Sequence, residues 1–246
     1  MGNPCVAHRG YSAVAPENTL AAVRLAMTEP YVQWIEIDVQ LSLDGIPVVI
    51  HDYTLNRTTN GRGRVGDYTC EELQNLDAGR WKGKAYAGEQ IPTLMEVLQL
   101  VCGRLRVNIE LKTKGDMYPG LEEIVVHCVR AHHMQHDVCI TSFDVNSIRK
   151  AKRLAPEIAT GLIVDYRPHD LIDQLVLEEC SMLSIDYRHV DAKLLQQLRQ
   201  YNMSTMAWTV NHSKDMIKLA EISPDILICT NDPDVWKETF LSNHAD

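Results

Sequence analysis

Short apolar runs rich in β-branched residues recur along the chain, separated by longer segments of helical period. The runs "CVAH", "WIEIDVQL", "RVNIEL", "VCITSF", "ATGLIV", "MLSIDY", "STMAWTV" and "ILICT" read as strands. Between them, "NTLAAVRLAM", "TLMEVLQLV", "LEEIVVHCVRAH", "VNSIRKAKRLA", "HDLIDQLVLEE", "DAKLLQQLRQY" and "SKDMIKLAEI" space their apolar residues three and four apart, as helices do. A last helical segment, "DPDVWKETFL", closes the chain. Eight strands alternating with helices predict a parallel sheet, and that number predicts closure. The expected fold is therefore α/β, a (β/α)8 TIM barrel.

A chain of 246 residues, 45% hydrophobic, is long enough to close such a barrel as one domain over residues 1–246. No linker or low-complexity stretch interrupts it. The irregular part is about residues 53–90, rich in Gly, Arg and Thr, as in "RTTNGRGRVGDYT". It reads as a small insertion over the catalytic face, since a loop this long in a compact domain is more often functional than incidental. Its arginines and glycines lack the Walker spacing and the strand-to-helix setting of a nucleotide loop. They are expected to order the insertion, with Arg57 bordering the pocket.

The net charge is −9, with no basic tract, which argues against nucleic acid as a partner. The seven cysteines (5, 70, 102, 128, 139, 180 and 229) are odd in number and never spaced Cys-x-x-Cys. Several lie inside apolar runs, so neither a disulfide framework nor a zinc knuckle is expected. No apolar run approaches a membrane span, and the amino terminus lacks a signal-peptide pattern. The expectation is a cytoplasmic protein with no membrane span.

In a barrel of this kind, side chains at the carboxyl ends of the strands line the active site. The first strand ends in His8-Arg9. The second carries Glu36 and Asp38, two apart and hence on one face; the third ends Glu110-x-Lys112, again on one face. Later strand ends carry Ser142-Phe143, Asp186, Trp208-Thr209 and Thr230-Asn231. An isolated carboxylate at a strand end is usually just solvated, and Asp186 fits a structural role as well as a pocket role. Three carboxylates and a lysine converging from two strands are harder to explain that way.

Asp44-Gly45, between "VQLSL" and "IPVVI", is a strong two-residue hairpin signal. Such a turn would set Leu43 against Ile46 and Asp38 directly opposite His51. His51 then joins the cluster. Three carboxylates without thiolates suit a hard cation, Mg²⁺ or Ca²⁺, with Mn²⁺ a third option. Two histidines near neutral pKa can act as base and acid, Arg9 can grip phosphate, and Lys112 adds a point charge. The combination describes phosphoryl chemistry with a metal clamp.

Taken in order, "AHRG…PENT", "EIDVQLSLDGIPVVIHD…LNRTTNG", "IPTL", "NIELK", "SF" and "WTVN" resemble the glycerophosphodiester phosphodiesterases, within the wider group of phospholipase-C-like barrels. The resemblance spans nearly the whole chain. It implies a (β/α)8 barrel, an insertion at residues 53–90, and hydrolysis of a glycerophosphodiester to sn-glycerol 3-phosphate plus an alcohol. It also implies His8 and His51 as the acid–base pair, and Glu36, Asp38 and Glu110 as ligands of one divalent cation. Arg9 would contact the phosphate and Lys112 the substrate, with Phe143 and Trp208 as aromatic walls. Glu17 and Asn18 match the family's "PEN" turn, and Asn18 is also a good N-cap for the helix that follows. The family's wider group attacks phosphorus with the substrate's own neighbouring hydroxyl. One departure stands out: Thr230-Asn231-Asp232-Pro233, where Thr-Asp followed by a proline after one residue is expected.

The remaining histidines have plainer explanations. His132, His133 and His136 sit at the end of a helix leading into a strand, on the barrel face away from the chemistry, and read as solvated or capping groups. His169, His189, His212 and His244 read as surface or capping groups too. Two other functions compete with hydrolysis of soluble diesters. A catalytically idle barrel binding a phospho-ligand or a partner would be expected to lose a histidine or a metal carboxylate, and all five are present. A sphingomyelinase-D-like lipid phosphodiesterase usually works outside the cell and often carries disulfides, neither of which is signalled here.

Overall fold

The computed structural model describes residues 2–241. Eight parallel strands close a barrel: β1 Cys5–His8, β2 Val32–Leu41, β4 Arg106–Leu111, β5 Val138–Ser142, β6 Ala159–Val164, β7 Met182–Asp186, β8 Ser204–Trp208 and β9 Leu227–Thr230. Pairing runs in chain order around the ring and is completed between β9 and β1 and between β1 and β2. A short strand, β3 Pro47–Val49, lies antiparallel on the end of β2, outside the ring. The helices are α1 Leu20–Thr28, α2 Cys70–Gln74, α3 Leu94–Val101, α4 Leu121–Ala131, α5 Val145–Leu154, α6 Leu171–Leu177, α7 Ala192–Gln200, α8 Ser213–Ile222 and α9 Pro233–Phe240. Every predicted strand and helix forms, and α2 adds a short helix inside the insertion.

The layers follow from the residue pattern. Helix stripes such as Leu94, Val97, Leu98 and Val101 of α3 are buried against the outer face of the sheet. Inside the ring, Val6, Cys139, Met182, Met206, Leu227 and Cys229 fill the barrel below its mouth. The insertion builds its own small core from Val48, Ile50, Leu55, Val65, Leu73, Ala78 and Ile91. All seven cysteines are free, and five of them are buried as small hydrophobes. No helix among the described residues is long and apolar enough to cross a membrane.

Strand register sets the site. His8 lies beside Glu36 across β1 and β2, while Asp38 lies beside Glu110 across β2 and β4. Parallel neighbours at the same level project to the same side, so three strands deliver three acids and a histidine to one mouth.

The hairpin differs from expectation by one residue. Leu41 pairs with Pro47, so the connection spans residues 42–46, and the two-residue turn at Asp44-Gly45 does not form. The Leu43 N–H instead donates to Tyr68 O at 2.8 Å, and Asp44 accepts from the Cys70 N–H at 2.8 Å. Ser42 closes the loop, its hydroxyl bonding Asp44 and the Ile46 N–H. The insertion thus draws two turn residues out of the ladder. As a result Asp38 faces Ile50, whose N–H donates to Asp38 O at 2.9 Å, and His51 lies beyond the paired strand.

At the other entrance, Gly10 explains why a glycine follows His8-Arg9. Its φ is +76°, and a Cβ there would stand 2.7 Å from the Ala22 backbone carbon in α1. Gly45 has φ +78° with nothing within 4 Å. Gly45→Ala should therefore cost only the backbone strain, about 1–2 kcal/mol. Gly10→Ala adds a collision with backbone and should cost about 1–3 kcal/mol more. Denaturant titration of the two variants checks the ranking; equal losses would refute the steric reading of Gly10.

Candidate active site

The mouth of the barrel holds a cavity of about 130 Å³ lined by His8, Arg9, Glu36, His51, Glu110, Lys112, Phe143 and Trp208, with Asn108, Ile163, Ser184, Met206 and Cys229 toward its floor. Asp38 lies just beneath the lining. All nine residues singled out by sequence are thereby brought together. One wall is charged. The aromatic part adjoins it: Phe143 and Trp208 meet edge to face at 6.1 Å between ring centroids, and the Lys112 ammonium lies 5.9 Å from the Phe143 ring centroid.

Glu36, Asp38 and Glu110 each offer a carboxylate oxygen within 4.8 Å of the others, a grouping found once among the described residues. Glu36 Oε1 and Asp38 Oδ1 are buried with no hydrogen-bond partner. The remaining oxygens are held: Glu36 Oε2 accepts the Arg9 N–H at 3.1 Å, and Asp38 Oδ2 accepts from Asn18 Nδ2 at 2.8 Å. Lys112 Nζ donates to Glu110 Oε1 at 2.8 Å and stands 3.8 Å from Asp38 Oδ1. Two buried, unpartnered carboxyl oxygens beside a third carboxyl group fit a hard divalent cation in donor type, and in charge once they are ionised.

Charge in the wider network points the same way. Arg9 bridges Glu17 at 2.8 Å and Asp38 at 3.3 Å, and Arg57 grips both Glu17 and Asp52 with bonds of 2.8 Å. With Lys112, three cations face five carboxyl groups, an excess of two formal negative charges when all five are ionised. Burial pushes Glu36 up strongly, reinforced by the charges of Asp38 and Glu110. Burial, then the Asp38 charge, pushes Glu110 up to about 7. Burial acts the same way on Asp38, but Arg9, His51 and Lys112 outweigh it and hold that carboxyl below its ordinary value.

The two histidines are oriented through their far nitrogens. His8 Nδ1 lies 2.6 Å from Asn231 Oδ1, leaving Nε2 toward the acids, 3.7 Å from Glu36 Oε2. Burial, then Arg9, lowers its pKa to about 4. His51 Nδ1 lies 2.8 Å from Asp52 Oδ1, leaving Nε2 3.2 Å from Lys112 Nζ. Burial also lowers His51, against the pull of Asp38. Hydrogen bonds from Arg57 hold Asp52 well below the carboxylate range.

Several of these supports were hidden in the sequence. Asn18 does not cap α1: Thr19 does, accepting from the Ala22 N–H, while Asn18 takes φ +59° and clamps Asp38. Asparagine tolerates that left-handed conformation, so it serves at the turn before the cap. Asn231, at the one departure from the family pattern, fills that position with an amide that meets His8. Asp52 follows His51 directly, but its grip by Arg57 is visible only in three dimensions. Asp186 turns away, paired to Arg188 at 2.6 Å. His132 bonds the Cys128 carbonyl of its own helix end, as a capping group should. His244 lies outside the described residues.

The chain matches the model of the glycerophosphoryl diester phosphodiesterase family over residues 8–235. It is 39% identical over 230 residues to a glycerophosphodiester phosphodiesterase of Caldanaerobacter subterraneus subsp. tengcongensis, covering 93% of this chain and 94% of that one. A Bacillus subtilis glycerophosphodiester phosphodiesterase is 32% identical over 249 residues, covering 94% and 84%. The structure superposes on an Oleispira antarctica phosphodiesterase in complex with its product sn-glycerol-3-phosphate, with TM-score 0.89, 34% identity and 96% of each chain covered. It also resembles a glycerophosphodiester phosphodiesterase from Agrobacterium tumefaciens, with TM-score 0.82, 29% identity, and 95% and 98% covered. Matched along nearly its full length, with three clustered acids and two oriented histidines at the mouth of its barrel, the chain belongs to the glycerophosphoryl diester phosphodiesterase family.

Proposed function

We propose that this chain hydrolyses glycerophosphodiesters to sn-glycerol 3-phosphate and an alcohol, with one divalent cation held by Glu36, Asp38 and Glu110. The observation that carries the reading is the unpartnered pair Glu36 Oε1 and Asp38 Oδ1, with His8 Nε2 3.7 Å from Glu36 Oε2 and His51 Nε2 3.2 Å from Lys112 Nζ at the same mouth. The Oleispira relative, with sn-glycerol-3-phosphate bound, supports the product. Held by Glu36, Asp38 and Glu110, a divalent cation would supply Lewis-acid charge for phosphoryl transfer and would offset the excess carboxylates.

The chain's own groups do the rest. Asn231 Oδ1 and Asp52 Oδ1 each accept the Nδ1 proton of their histidine, which turns both Nε2 atoms to the cavity, that of His51 beside the Lys112 ammonium at 3.2 Å. One histidine takes the proton of the glycerol 2-hydroxyl as its oxygen attacks phosphorus; the other gives its proton to the departing alkoxide, which leaves as the alcohol. The five-membered cyclic phosphate that results is opened by water with the roles reversed, giving glycerol 3-phosphate. Arg9 and Lys112 face the phosphoryl oxygens as charge builds there. Phe143 and Trp208 form the aromatic part of the pocket lining.

The carboxylate shifts predict how the cation couples to pH. Glu110 and Glu36 have folded pKa values above the unfolded value of about 4.3. Between that value and about 7 the native metal-free protein holds protons that the unfolded chain has lost. Its stability therefore falls as pH rises through this window. A bound cation must displace those protons, so its affinity climbs over the same range. The Tm gain on adding Mg²⁺, Mn²⁺ or Ca²⁺ to chelator-treated protein should be small at pH 5.5 and large at pH 7.5. A gain independent of pH, or no gain with all three ions, would remove the cation site.

His8→Ala and His51→Ala should each lower kcat by on the order of 10²–10⁴. With a p-nitrophenol leaving group, which needs little protonation, the loss should shrink for whichever histidine is the initial acid. A substrate with hydrogen in place of the glycerol 2-hydroxyl should bind and scarcely turn over. Cleavage of that deoxy compound at the normal rate would make water the nucleophile.

A further inference from the structure

Gln40 lies on β2, two residues beyond Asp38, and is wholly buried. Its side-chain nitrogen donates toward three consecutive backbone carbonyls, Ile50 O at 2.8 Å, His51 O at 3.1 Å and Asp52 O at 2.9 Å. Three acceptors around one nitrogen leave no choice of amide orientation. Oε1 must point the other way, and there it accepts the Tyr118 hydroxyl at 2.8 Å. Burial pushes the Tyr118 phenol up to about 12, so it stays a donor at neutral pH.

The placement is informative. β3 ends at Val49, so His51 stands on backbone that has left the strand ladder. Tyr118 lies in the loop joining β4 to α4. That loop begins with Lys112, whose ammonium is 3.2 Å from His51 Nε2. One amide therefore grips the segment carrying His51, and its other end is tied to the segment carrying Lys112. Neither Gln40 nor Tyr118 lines the cavity.

We infer that Gln40, braced by Tyr118, is a positioning residue for His51: its amide holds the backbone of residues 50–52 in the bend that aims the imidazole across the cavity. The inference rests on the proposed part of His51 in the chemistry. It differs from simple satisfaction of buried carbonyls in one measurable respect. A positioning residue acts through His51, whereas a general packing role acts on the whole barrel.

The test is a double-mutant cycle on sn-glycero-3-phosphocholine. Gln40→Leu and Tyr118→Phe are each made in the native chain and in His51→Ala, and kcat and KM are measured. In the native chain Gln40→Leu should lower kcat on the order of 10- to 100-fold, with KM within about threefold, because small misplacements of a reacting group are costly. Tyr118→Phe, which leaves Gln40 in place, should lower it about 3- to 10-fold. In the His51→Ala background both losses should shrink to less than about twofold. Losses of equal size in both backgrounds would overturn the inference, as would a folded Gln40→Leu with native kcat. If Gln40→Leu fails to fold, the Tyr118→Phe cycle alone decides between positioning and packing. A native rate in His51→Ala by itself would sink the catalytic reading of His51 first, without reference to Gln40.

Discussion

Three carboxylates within 4.8 Å of one another, two of them buried and the third half-buried, are the constraint around which this molecule is arranged. Each buried ion costs several kcal/mol in lost hydration, and like charges at this distance add repulsion. The fold tolerates the cluster because Arg9 and Lys112 approach it and because Asn18 and the Arg9 N–H bond two of its oxygens. The compensation is incomplete, which fits the cation site proposed for these acids. Protons are drawn to Glu36 and Glu110, and two oxygens stay without partners. A barrel built for stability alone would carry apolar residues at these strand ends.

The arrangement divides labour between rigid and irregular parts. Strands β2 and β4 hold the acids, where register leaves little freedom. The histidines and cations come from strand ends and loops, and each is fastened by a second group: Asn231 on His8, Asp52 on His51, Glu17 on Arg9, Glu110 on Lys112. The insertion contributes through Arg57, which ties the turn after β1 to the bend after β3. Lys82 adds a second tie, donating to Ser12 O at 2.6 Å. Such fastening holds reacting groups close to one geometry and limits what must be reorganised during the reaction.

The two histidine supports are chemically unlike. Asn231 offers His8 a neutral amide oxygen, while Asp52 offers His51 a carboxylate kept ionised by Arg57. A carboxylate stabilises imidazolium more than an amide does, so the same ring is placed in two electrostatic settings. That asymmetry would suit the exchange of acid and base roles proposed for the pair.

The eight-fold strand–helix alternation, and through it the barrel and the face that carries the candidate site, was legible in the sequence alone. Period-two spacing alone put Glu36 with Asp38 and Glu110 with Lys112, because alternation along a strand is a local property. The tertiary structure decided how His51 arrives. The two-residue turn suggested by Asp44-Gly45 is overridden by bonds to Tyr68 and Cys70, residues of an insertion more than twenty positions away. His51 joins the acids from a bend beyond β3, not as the residue facing Asp38 across a ladder. Asn18 was likewise legible as a turn-former but not as the clamp on Asp38. Turn type, left-handed placement and side-chain bonds to distant backbone depend on which segments meet in space, and no local pattern along the chain encodes that.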